Sequence, residues 1–410
     1  MYKALFIDYG TTVILKGFVI ALGLIVTPYL LIEWGLESFG IFAFAVASTN
    51  YISSIDFGLT GYLTVEFSRK KIRNRLIQRA LRSVILQIVI AQTIGAAIVS
   101  FYITHIVEAP LNILLLTLIT TAICLSKTIL RLLSVYYIAK HKAYIINLYM
   151  AFYNSSRYIL VMLFSAYGLW PGMCIFIASN TIHIGFLVLC LDKVQLRECL
   201  TRPRRRLVFL PFVSKRYFGY SFYSNMVFYS DRALAAGLLD LKVLGIYMFM
   251  VDIVSKINEL VASMSSLLLP RLIFFREFAS RLNKIYVLGS LVIVVTVLFL
   301  LFKIGDDVFK IFGLGSDNGF SFSSVYFLVY CLVPVMNIFN SALVNSLYLY
   351  RRIDTYWVTA LVTAISSCIF VLLLLASDTT VDIKGFVYFI AFNASIGLYT
   401  NIYLVRRVRH

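Results

Sequence analysis

Asp231 and Arg232 are adjacent in "YSDRALAAGL" (229–238), between runs that otherwise read as membrane-spanning. They are not isolated. Six cations fall inside apolar segments, Lys16, Lys127, Arg131, Arg157, Arg232 and Lys256, together with four acids, Asp56, Asp231, Asp252 and Glu259. A charge near the bilayer centre costs on the order of 2.5–3.5 kcal/mol even on mild scales, so these residues must line a cavity or pair with one another. Asp252, Lys256 and Glu259 follow i, i+4, i+7 spacing, share one helix face and can satisfy each other. Asp231 and Arg232 point about 100° apart, so each needs another partner. Lys127 and Arg131, at i and i+4, repel, an arrangement that makes sense with an anion beside them. The surplus of cations suits an anion's path, because Arg and Lys match phosphate in charge and geometry. The expectation is that Arg232 faces a central cavity, while Asp231 holds it or couples to an ion. The plainer alternative has Lys16 and Arg157 reaching an interface and the rest in structural pairs.

The elements that must position these residues follow from composition. The chain has 410 residues, 61% of them hydrophobic and only 14% charged, with a mean hydropathy of +0.89. A soluble globule carries roughly 25% charge. Apolar runs of about 20 residues recur throughout, each long enough to cross ~30 Å of hydrocarbon as a helix. Twelve helices are expected, at 11–32, 38–65, 83–105, 111–137, 143–166, 170–191, 217–238, 243–268, 285–303, 322–349, 355–376 and 383–405. The first run is too long for a signal peptide and is read as a retained helix. The fold class is therefore an all-α integral membrane protein.

The net charge of +18 is distributed topologically. With both termini cytoplasmic, inner segments hold 27 of the 37 Lys and Arg, including "RKKIRNRLIQRALR" (69–82) and "RPRRR" (202–206). Outer loops hold Lys242, Lys303, Lys310 and Lys384, and most loop acids lie with them. That asymmetry obeys the positive-inside rule and argues against a nucleic-acid partner. The six cysteines have no redox or zinc spacing and read as packing residues. The four histidines are scattered, and no metal or cofactor is expected. The longest loops, 192–216 and 304–321, are too short to fold into a catalytic domain, and there is no phosphate-binding GxxxxGK[ST] loop. The chain is not expected to be an enzyme.

An offset of 205 residues aligns "ESFGIFAFAVASTNYISSID" (37–56) with "KVLGIYMFMVDIVSKINELV" (242–261). Gly40/Gly245, Ile41/Ile246, Phe44/Phe249, Val46/Val251 and Ile52/Ile257 are identical. Duplication into two six-helix lobes around a central cavity is the reading, with residues 1–191 and 217–410 as lobes and 192–216 as a basic cytoplasmic linker. Transporters built from such repeats bind substrate between lobes and rock one against the other. The linker's "PRRRLVFLPF" (203–212) is expected on the inner membrane surface, against anionic lipid, or as a solvated loop.

The segment "SDRALAAGLLDLKVLGIYMFMVDIVSKINELVASMSSLLLPRL" (230–272) resembles the start of the second lobe in Wzx-type polysaccharide flippases of the multidrug/oligosaccharidyl-lipid/polysaccharide exporter superfamily. In that family an Asp-Arg ends the seventh helix, a Leu-Gly-x-Tyr opens the eighth and a Pro-Arg closes it, here Asp231-Arg232, Leu244-Gly245-Ile246-Tyr247 and Pro270-Arg271. "GLESFGIFAF" (35–44), "SIDFGLTGYLTVEFSRKK" (54–71) and "YNSSRYILVMLFSAYG" (153–168) resemble its first lobe, which places Arg157 on a commonly polar face. The resemblance implies a flippase that moves undecaprenyl-pyrophosphate-linked oligosaccharide repeat units to the outer leaflet of a bacterial cytoplasmic membrane. The six cations would then line its cavity, with Asp231, Asp252 and Glu259 as candidates to carry a coupling H+ or Na+. A monomer is expected, with association with polysaccharide polymerase machinery a further expectation. Rival readings are a drug/cation antiporter of the same fold, which would want an acidic cavity, and a polymerase or ligase, which would want a large outer loop. A purely structural membrane protein has no use for six buried cations, and peptidoglycan-precursor flippases carry helices beyond twelve.

Overall fold

The computed structural model describes residues 2–68, 74–106, 113–139, 143–176, 178–180, 217, 231–232, 234–274, 276–311, 325–350, 356–376 and 383–409. The helices are α1 (Tyr2–Ser53), α2 (Leu59–Ser68), α3 (Asn74–Ile106), α4 (Ile113–Ala139) and α5 (Ala143–Phe164), and α6 (Leu169–Asn180). Then follow α7 (Leu241–Phe274), α8 (Ala279–Ile311), α9 (Val325–Leu349), α10 (Tyr356–Ala376) and α11 (Ile383–Arg409). Residues 231–232 and 234–238 are also helical. The basic segment 192–216 lies outside the described residues, as does most of the expected seventh helix.

Two of the expected helices are joined in α1. Gly35 (φ 74°, ψ 169°) is non-helical and kinks the chain between two helical arms, a conformation that costs a side-chain-bearing residue energy. Trp34 packs next to this turn and donates its indole N–H to the Ser165 carbonyl at 2.9 Å. Gly172 leaves room for its ring, since a Cβ there would sit 2.4 Å from Trp34.

The expected helix 38–65 is broken, which corrects the sequence reading. The second arm of α1 ends at Ser53, and α2 starts at Leu59. Asp56 causes the break. Its carboxylate accepts the backbone N–H of Gly58 (2.9 Å) and of Thr60 (3.0 Å), so it caps α2 and is not an unmatched membrane charge. Asp56→Ala is expected to cost about 1 kcal/mol and lower the melting temperature in detergent. An unchanged melting curve would show that the cap contributes nothing. Pro270 likewise does not close its helix, because α7 runs on to Phe274.

Among the described residues, five spans are long and apolar enough to cross a membrane: Gly10–Ser53, Gln87–Thr104, Ala279–Lys303, Phe327–Leu349 and Val387–Arg407. Their polarity is inverted relative to a soluble helix. On α3, Ile90, Ile94 and Ile98 are exposed, whereas Ile88, Gln92, Ala96, Ser100 and Ile103 are buried. Helices in lipid put their polar groups against one another, because hydrocarbon cannot hydrogen-bond them.

The main core lies between α1 and α7. Val26, Leu30, Phe39 and Phe44 of α1 pack with Leu244, Tyr247, Met248 and Phe249 of α7. The two segments matched at an offset of 205 residues thus meet at the centre of the molecule.

Candidate functional site

A cavity of about 80 Å³ lies between these segments. Its walls repeat the internal match. Thr27, Ala43, Val46, Ala47 and Asn50 line it from α1, and the residues 205 positions on line it from the other side: Arg232, Met248, Val251, Asp252 and Ser255. Equivalent positions facing a common space are what a pseudo-two-fold axis through the cavity produces. The chemistry is asymmetric. Where the first repeat carries Thr27 and Ala47, the second carries Arg232 and Asp252. Arg157 of α5 adds a second guanidinium, beside Tyr158 and Phe176.

Arg157 is held by rings. Its guanidinium carbon lies 4.7 Å from the Phe176 centroid, 5.5 Å from Tyr153 and 5.6 Å from Tyr158. Aromatic faces attract a cation electrostatically while leaving its N–H groups available. Its Nε has no hydrogen-bond partner among the described residues.

Asp252 and Lys256 pair on α7, and Thr27 ties the pair to α1. The Thr27 hydroxyl donates to Asp252 Oδ2 (2.9 Å) and accepts from Lys256 Nζ (3.1 Å). The single acid on the cavity wall among the described residues is therefore already matched by a cation. Glu259 does not complete this group, although its spacing allowed it. It turns toward Lys16 of α1, 3.9 Å away, with its side chain 62% exposed. The i+3 step from Lys256 leaves it farther round the helix, and Asp252 already occupies the ammonium.

Asp231 does not line the cavity. It is buried and accepts a hydrogen bond from the Tyr247 hydroxyl at 2.5 Å. That contact supplies its carboxylate with a partner from α7. It also accounts for the tyrosine of the Leu-Gly-x-Tyr motif.

Lys127 and Arg131 are met by polar groups of α1, side chains for the lysine and a backbone carbonyl for the arginine. Lys127 donates to Thr49 Oγ1 (3.0 Å) and Asn50 Oδ1 (2.8 Å), and Arg131 donates to the Ser53 carbonyl (3.3 Å). Thr128, between them, also donates to Ser53 O (3.1 Å). These groups gather at the C-terminal end of α1, where helix carbonyls are unpaired and the dipole is negative. The repulsion that pointed to an anion is thus offset by a helix end. Lys127 still touches the cavity wall through Asn50.

Sequence reasoning singled out Arg157, Arg232 and Asp252 of the wall but missed Thr27, Asn50, Tyr158 and Ser255. The offset of 205 residues carried a usable signal, because it pairs Thr27 with Arg232 and Asn50 with Ser255.

The profile of a family described as polysaccharide biosynthesis protein matches residues 8–274. No curated protein matches the chain. Among solved structures, the eukaryotic MATE transporter AtDTX14 is similar at 15% identity and a TM-score of 0.63, covering 100% of this chain and 98% of that one. A multidrug resistance MATE family transporter of the MOP superfamily is similar in its inward-facing form (12% identity, TM-score 0.61, 95% of each chain). It is equally similar in its outward-facing form (12%, 0.61, 98% of this chain and 96% of that one). These likenesses establish a two-lobed, twelve-helix fold. With the family match running through well over half of the chain, the protein belongs to the polysaccharide biosynthesis protein family, built on the fold of MATE transporters.

Proposed function

We propose that the chain is a flippase for lipid-linked oligosaccharides, carrying an undecaprenyl-pyrophosphate-linked repeat unit from the inner to the outer leaflet by alternating access. One observation carries this reading: the cavity wall presents Arg157 and Arg232, and Asp252, its one acid among the described residues, is engaged by Lys256 and Thr27. Two guanidiniums make this stretch of wall cationic, as a pyrophosphate requires. Tyr158 and Phe176 offer aromatic faces to sugar rings.

In this reading Arg157 and Arg232 hold the pyrophosphate at the centre. Lys256 and Lys127 stand just behind the wall, and Arg131 and Lys16 guide the headgroup in from the Asp56 end. Asp252 is the best placed of the three acids to carry a coupling H+ or Na+, since Asp231 is buried off the cavity and Glu259 sits in the approach. The basic loops face the cytoplasm, with both termini inside a bacterial cytoplasmic membrane, lobes at 1–191 and 217–410, and the protein acts as a monomer near polysaccharide polymerase machinery.

The test is reconstitution into vesicles with a fluorescent undecaprenyl-pyrophosphate-linked oligosaccharide in the inner leaflet. Wild-type protein is expected to make the label accessible to an external quencher. The fold of multidrug transporters favours one competing reading, export of organic cations. Vesicles that export a cationic dye and leave the oligosaccharide in place would decide for it.

A further inference from the structure

The α1–α7 crossing above the cavity is reciprocal. A Cβ added to Gly40 would meet the backbone of Gly245 at 3.0 Å and the carbonyl of Leu241 at 3.2 Å, and one added to Gly245 would meet the carbonyl of Leu36 at 2.2 Å. Leu36 and Leu241, like Gly40 and Gly245, are 205 residues apart. Each repeat therefore presents its glycine to the other repeat's backbone, as the two halves of an isologous interface do. The cavity begins beside it: Phe39 and Phe42 flank Gly40 on the wall, and Ala43 and Met248 follow one turn away, about 4.5 Å farther along each helix. On the far side of the cavity Asp252 is 33% exposed and Glu259 62%, while Lys256 between them is buried. The crossing closes the cavity on the glycine side.

We propose that the Gly40–Gly245 crossing is the gate that seals the outer end of the path, closing when the two backbones meet and parting when the lobes rock. This rests on the alternating-access reading above. The contact suits a reversible seal. Two backbones meeting at small residues exclude water and lipid through close packing alone. Among the described residues, no hydrogen bond or ion pair joins Leu36, Gly40, Leu241 and Gly245 across the crossing, so opening leaves no polar group unmatched. The seal also has one steric requirement. A methyl group at Gly245 would overlap the Leu36 carbonyl and hold the gate ajar, and one at Gly40 would do so less strongly.

The experiment places nitroxide labels at Glu37→Cys and Lys242→Cys, exposed equivalent positions beside the crossing, after replacement of the six native cysteines. Double electron–electron resonance in lipid nanodiscs then reads the distance between lobes. Wild-type protein is expected to show a short and a long population. Gly245→Ala should deplete the short one by about tenfold, Gly40→Ala by less, and the control Gly289→Ala, whose Cβ meets open space, not at all. If Gly245→Ala does not fold, Gly40→Ala decides. A single short distance in the wild type under every condition, or an undepleted short population in the alanine variants, overturns the gate. No oligosaccharide is present in this measurement. A gate that opens in a protein that moves no lipid-linked sugar would therefore count against the flippase reading alone.

Discussion

Vesicles carrying Arg157→Ala or Arg232→Ala protein are expected to flip lipid-linked oligosaccharide about 10- to 100-fold more slowly than wild type. A hydrogen bond to a charged group is worth about 1.5–3 kcal/mol, which corresponds to that range of rates. Both side chains lie on the cavity wall, whose one acid among the described residues is ion-paired with Lys256. Arg131→Ala provides the contrast. Its guanidinium bonds the Ser53 carbonyl at the end of α1, so its loss should lower the melting temperature and slow transport only a few-fold. Arg157→Lys separates charge from shape. A lysine keeps the positive charge but loses the planar fork and the stacking on Phe176, so recovery should be partial. Equal losses in Arg131→Ala and Arg157→Ala, with folding intact, would remove the cavity wall as the centre of recognition.

Asp252→Asn is expected to have the second largest effect, in two separable parts. It strands the Lys256 ammonium, whose side chain is only 7% exposed, with the Thr27 hydroxyl in place of a carboxylate. Breaking a fully buried pair costs about 3–5 kcal/mol. Because the Asp252 side chain is a third exposed, solvent screening brings the expected cost nearer to about 2 kcal/mol. The second part is coupling. If Asp252 carries the driving ion, transport by Asp252→Asn should no longer respond to an imposed proton or sodium gradient. The double variant Asp252→Asn/Lys256→Met removes the stranded charge and should recover stability, leaving the gradient response absent. A double variant that regains stability together with the gradient response would exclude Asp252 as the coupling acid.

Several features were legible in the chain alone. The helix spans follow from runs of apolar residues meeting hydrocarbon, a property of each segment by itself. The repeat was visible as an offset of 205 residues, and the same offset orders the cavity wall and the glycine crossing. Asp56 shows where local reading went astray. A carboxylate within an apolar run looked like a membrane charge, yet its oxygens bond amides two and four residues on and break the helix.

What each charged side chain touches was decided by tertiary structure. Lys127 and Arg131 reach the end of α1 from 77 and 78 residues away, and Lys256 reaches Thr27 across 229. Spacing on one helix tells only which residues share a face. It suggested that Glu259 would join Asp252 and Lys256, but packing of α7 on α1 set Lys16 beside it instead. That charges lie within apolar spans is legible from the chain, because hydropathy registers chain against solvent, residue by residue. Which of them can meet a ligand follows from packing, because it depends on the helix end, ring or carboxylate that a neighbouring helix brings to each.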